Sequence, residues 1–93
     1  MTFYEALINP DRLWIWEKAG NKDLLIEFAG PVGSVWVVIQ FSDNVLKDTY
    51  HAARTKPEEF DNYCRMMRIS LPPEARRITK HEMNELLLKY VVN

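Results

Sequence analysis

The chain is poor in most features that make a function legible. It holds one cysteine, Cys64. A single cysteine cannot close an internal disulfide, so no covalent staple is expected and a reducing compartment is the simplest setting. No apolar run approaches the ~20 residues that a membrane-spanning helix needs. The N-terminal stretch also lacks a charged segment followed by an apolar one. A cytoplasmic location without a membrane partner is therefore expected. Neither sign of charge prevails: 12 Lys and Arg stand against 13 Asp and Glu, a net charge of −1. Bulk nucleic-acid binders and membrane-surface proteins usually carry a cationic excess, so global charge favours neither.

What is present suits a folded domain. Across 93 residues, 47% are hydrophobic and 12% aromatic, which is too apolar and too weakly charged for disorder. A chain of this length makes one domain, 1–93, with a thin core. No internal repeat, linker or low-complexity stretch divides it.

Residues 2–8 read as a short helix or an extended lead-in, with Phe3, Ala6 and Leu7 on one helical face, closed by Asn9-Pro10-Asp11. Arg12–Lys18, Leu24–Phe28 and Val35–Phe41 then read as strands rich in β-branched and aromatic residues. Gly20-Asn21-Lys22-Asp23 and Gly30-Pro31-Val32-Gly33-Ser34 supply the turns between them, short enough for an antiparallel meander. After Ser42 the apolar period lengthens to that of a helix. Val45, Leu46, Thr49, Tyr50 and Ala53 form one stripe, and Phe60, Tyr63, Cys64 and Met67 a second. Met83, Leu86, Leu87 and Tyr90 form a third, behind a capping box at Thr79–Glu82. The expected fold is α+β: a three-stranded antiparallel meander followed by two to three helices packed on one face.

Period two sorts the strands into two apolar faces. One carries Leu13, Ile15, Leu24, Ile26, Phe28, Val35, Val37, Ile39 and Phe41; the other, largely apolar, carries Trp14, Trp16, Leu25, Glu27, Trp36, Val38 and Gln40. The helices can cover one of them. The tryptophan face then has two readings. It is core, closed by the N-terminal segment, or it is an interface for a partner or a second copy. Tryptophan fits either, being well buried on average and enriched at binding hot spots.

Chemistry is thin. His51, His81 and Cys64 are too few for a closed structural zinc site, and no paired metal-binding motif occurs. Neither a metal nor a cofactor is expected. Cys64 lies on an apolar stripe, where a thiol acts as a small hydrophobe rather than a nucleophile. The glycine-bearing turn GPVGS joins two strands and opens no helix, so it lacks the geometry of a phosphate loop. Carboxylates at 58–61 and 82–85 complement helix N-termini. The basic segment is more suggestive. Arg65, Arg68, Arg76, Arg77 and Lys80 face one acid, Glu74, and could meet phosphates, an acidic protein or only solvent.

By elimination, the expected function is non-enzymatic protein binding. The chain would act as a small inhibitor or immunity-type protein that occludes its partner, with self-association as a close variant. The contact residues would be Trp14, Trp16, Trp36, Arg65, Arg68, Arg76 and Arg77. The alternatives are a nucleic-acid-binding accessory protein that uses the arginine segment, and a small-molecule binder or minimal enzyme with a pocket between sheet and helices.

Overall fold

The computed structural model describes residues 2–30, 33–66 and 69–91, leaving aside the side chains of 29, 30 and 33–35. The element order is α1 (Phe3–Leu7), a 3₁₀ turn (Pro10–Arg12), β1 (Leu13–Lys18), β2 (Asn21–Gly30), β3 (Gly33–Gln40), α2 (Asp43–Thr55), α3 (Pro57–Met66), β4 (Arg76–Arg77) and α4 (Lys80–Tyr90). The α+β class and the antiparallel sheet agree with the sequence. The strand count does not. The sheet has four strands in the order β3-β2-β1-β4, because Arg76 and Arg77 pair with Ile15 and Trp14 on the free side of β1. Among the described residues three helices follow β3, as expected, and a further one, α1, precedes the sheet.

The β1–β2 connection is tighter than the composition suggests. Only Ala19 and Gly20 form the turn, with φ of 49° and 80°, while Asn21, Lys22 and Asp23 are already paired in the strand. Two residues at positive φ match the right-handed twist of a hairpin. Gly20 takes this conformation without strain, and Ala19 bears the strain of its Cβ. The tip of the second turn, 31–32, lies outside the described residues. The paired residues Gly30 and Gly33 bound it.

The helices form one layer. Leu13 and Ile15 of β1, Leu24, Ile26 and Phe28 of β2, and Val37 and Ile39 of β3 meet Phe3, Ala6, Leu7, Leu46, Tyr50, Ala53, Cys64, Met83 and Leu86 in one buried cluster. The alternation along each strand thus sends every second side chain to the helices. The N-terminal segment is a full member of this layer. Thr2 and Glu5 form a capping box that starts α1, and α1 packs on β2, α2 and α3. The carboxylate of Asp61 accepts from the Phe3 N–H at 2.8 Å, and the Tyr50 hydroxyl donates to the Leu7 carbonyl at 3.1 Å. Two groups that the two ends of α1 leave without helical partners are thereby satisfied inside the domain.

The expected stripes hold with two exceptions. Val45 and Tyr63 are exposed rather than core, and Met67 lies outside the described residues. Among the described residues, no helix is long and apolar enough to cross a membrane.

Candidate functional site: the tryptophan face of the sheet

The face turned away from the helices comprises Arg77 of β4, Trp14, Trp16 and Lys18 of β1, Asp23, Leu25 and Glu27 of β2, and Trp36 and Val38 of β3. None of these residues belongs to the helix-side core or to the apolar residues packed against it. The N-terminal segment, one expected cover, lies on the other side.

Leu25 is nevertheless fully buried. Its cross-strand neighbours are Trp14 on one side and Val38 on the other, with Trp16 and Trp36 on the diagonals. With no helix above them, these side chains themselves close over Leu25. All three tryptophans are half-buried. Their roles differ in one respect. The indole nitrogens of Trp14 and Trp36 are buried, and neither finds a hydrogen-bond partner among the described residues. Trp16 shows no such cost. Trp14 and Trp36 are therefore walls of a thin second layer, and Trp16 sits at its margin, opposite Asp23.

Charge rings this apolar centre. The Arg77 guanidinium lies 4.6 Å from the Trp14 ring centroid and donates to the Asp11 carbonyl at 2.9 Å. The Lys18 ammonium lies 4.0 Å from the Trp16 ring. Arg12, at the end of the 3₁₀ turn that leads into β1, pairs with Glu27 of β2 at 3.3 Å. Cations over indole faces are attracted by the ring quadrupole, so Lys18 and Arg77 are held at this face rather than free in solvent.

The basic segment is divided. Arg76 and Arg77 occupy successive positions of a strand and so point to opposite faces. Arg76 turns to the helix side, where it meets both carboxylate oxygens of Glu82 at 2.8 and 3.0 Å and Glu17 at 2.9 Å. Arg65 is exposed on α3, on that same helix side, and Arg68 lies outside the described residues. Of the seven expected contact residues, the structure brings Trp14, Trp16, Trp36 and Arg77 together and sets Arg65 and Arg76 apart from them. It adds Lys18, Val38 and the Arg12–Glu27 pair. The alternation of β1 places Lys18 beside Trp16 in the sequence itself. Arg12 needed the β1–β2 register.

The Arg76–Glu82 pair has a consequence for stability. Hydrogen bonds from Arg76 hold the Glu82 carboxyl well below the ordinary carboxylate range, and the Thr79 cap lowers it further. A carboxyl depressed by folding stabilises the fold at pH values above its unfolded pKa, and that contribution is lost as pH falls through the folded value. Glu82→Gln should therefore cost about 1 kcal/mol at neutral pH, since Arg76 is partly exposed. The difference from the parent should narrow once the pH falls below about 4. Denaturant midpoints measured from neutral to acid pH check this.

The other candidate groups stay isolated. Cys64 is fully buried, and burial, aided by the charge of Asp61, pushes its thiol up to about 12. Such a thiol carries no nucleophilic thiolate near neutrality. His51 is exposed, and His81 faces Glu85 at 3.0 Å on the surface of α4. Among the described residues, no three His, Cys, Asp or Glu side chains gather as a metal would require. A cavity of about 510 Å³ opens at the β1–β2 turn, lined in part by Lys18, Lys22, Asp23 and Phe41, and a smaller one of about 250 Å³ lies between β3 and the helices α2 and α3. The chain matches no known protein family, no curated protein and no solved structure.

Proposed function

We propose that the chain is a non-enzymatic protein-binding module whose partner seats on the tryptophan face, in the manner of a small occluding inhibitor. One observation carries this reading. A sheet face without a helix presents three tryptophans around a buried leucine, ringed by Lys18, Arg77 and the Arg12–Glu27 pair. An apolar aromatic centre with a charged rim is the anatomy of protein interfaces, and Trp and Arg are the residues most enriched at their hot spots.

A second reading draws on the same contacts. Aromatic rings interleaved with Lys and Arg form platforms for single-stranded nucleic acid. Two features weigh against it. Lys18 and Arg77 already lie against rings on which a base would stack. The carboxylates of Asp23 and Glu27 share the face and would repel phosphates.

Trp16 is the residue to test, because it adjoins the rim and has no buried orphan nitrogen. Trp16→Ser should leave the thermal transition within a few degrees of the parent and lower partner affinity by about tenfold or more, the loss expected of an aromatic hot spot. Affinity capture from the native host, with nuclease treatment and with the variant in parallel, reads both outcomes. A stoichiometric protein that survives nuclease and is lost with Trp16→Ser supports the proposal. A partner held equally by both proteins removes this face from the site, and loss of every partner on nuclease treatment favours the nucleic-acid reading.

A further inference from the structure

The tryptophan face runs out into the cavity at the β1–β2 turn. There Lys18 pairs with Asn21 across the hairpin, Asp23 lies opposite Gln40, and Val38 lies opposite Leu25 in the next row. Strand alternation turns Lys18, Asn21, Asp23, Val38 and Gln40 away from the helices. All five line the cavity, whose volume of about 510 Å³ is within the range of small-molecule sites.

Two opposite charges face this space without neutralising each other. Lys18 and Asp23 form no ion pair, with one another or with any other described residue. The Lys18 ammonium rests 4.0 Å from the Trp16 ring centroid. The ring holds the charge in place, yet the ammonium has no oxygen acceptor for its N–H donors among the described residues. Asp23 is half-buried, and its carboxylate accepts no hydrogen bond there. The side-chain amides of Asn21 and Gln40 are likewise without a partner among the described residues. The third charge, on Lys22, is engaged: its ammonium lies 3.5 Å from Glu82 and 4.9 Å from the Phe41 ring centroid. The cavity therefore offers one open cation and one open anion, each with an amide in its own cross-strand row. Phe41 and Val38 add apolar surface beside them.

We propose that this cavity binds a free α-amino acid with an apolar side chain. Lys18 and the Asn21 amide N–H groups donate to its carboxylate. Asp23 and the Gln40 amide oxygen accept from its ammonium, and Val38 and Phe41 receive its side chain. Charge complementarity selects this ligand class. A simple anion would bring its charge beside Asp23, and a simple cation would bring its own beside Lys18; a ligand with both signs answers both. Neighbouring same-face rows of a sheet lie about 7 Å apart, a span that the two charged groups of one amino acid bridge with a hydrogen bond at each end. In a longer peptide the terminal charges are too far apart for this. The site needs no protein partner on the tryptophan face.

Titration of the ¹⁵N-labelled protein with leucine, valine, methionine and phenylalanine, followed by NMR, tests the proposal. An open cavity and a ligand of about ten non-hydrogen atoms set a dissociation constant of about 0.1–1 mM. At least one of the four should move the backbone amide signals of Asn21, Asp23 and Gln40 in a saturable way, while those of His51 and Leu88 stay in place. The N-acetyl derivative of that amino acid keeps only the negative charge, and its amide keeps only the positive one. Each should bind at least about tenfold more weakly. Asp23→Asn and Lys18→Gln should each raise the dissociation constant by at least about tenfold as well. Lys18 is exposed and Asp23 only half-buried, and thermal melts confirm that both variants fold. No saturable shift with any of the four up to about 20 mM overturns the proposal. So does a derivative that binds as tightly as the free amino acid, or binding that both variants retain.

Discussion

Replacing Leu25 with alanine should destabilise the domain by about 2–4 kcal/mol, the range for a buried leucine in a site that collapses only in part. On a sheet face without helices, a much smaller effect would ordinarily be expected. Leu25 is nonetheless fully buried, beneath Trp14, Val38 and the diagonal tryptophans. Removing it takes away the floor on which those rings rest. They cannot close the gap easily, because Arg77 and Lys18 lie over two of them. Val38→Ala, in the same cross-strand row but 37% exposed, should cost less than about 1 kcal/mol. Urea denaturation of both variants compares the two sites. A Leu25→Ala cost no larger than that of Val38→Ala would mean that the tryptophans do not form a packed layer.

Phe3→Ala should be costlier still, about 3–5 kcal/mol. Its ring is 1% exposed and stacks on Phe60 with centroids 5.1 Å apart. Its backbone N–H is tied to Asp61 at 2.8 Å. The residue thereby fastens the N-terminal helix to α3, across 58 positions of chain. Domains of this size have roughly 5–15 kcal/mol in all, so this one substitution removes a large share. The thermal transition should drop by more than 10 °C, at about 4–8 °C per kcal/mol. A drop of a few degrees would mean that α1 is an accessory to the core.

These two residues also show where the sequence was legible. Period two in LWIWEK and VWVVIQ separated the two faces of the sheet correctly, because register fixes which side chains meet the helices. The capping box at Thr79 and the proline at Pro57 marked helix starts by local chemistry. Two things were not legible. Residues 2–8 are too few for periodicity to decide, and their helix is secured by Asp61 and Tyr50, which are distant in sequence. Arg76-Arg77 has no strand-like composition, and it becomes a strand because β1 offers a free edge. That pairing also split the basic segment. A run of arginines reads as one patch along the chain, but in a strand its members alternate between faces. Leu25 was legible as apolar and not as buried, since its burial depends on rings from both neighbouring strands.

The tryptophan face as a binding surface is tested most directly by the indole N–H signals of Trp14, Trp16 and Trp36 in the ¹⁵N-labelled protein, followed by NMR as the captured partner is added. The account predicts that the Trp16 indole signal shifts or broadens at stoichiometric partner, with Trp14 and Trp36 following, while amides at His51 and Leu88 on the helix side stay in place. Indole signals unmoved at saturation, with changes confined to α2, α3 or α4, would contradict it.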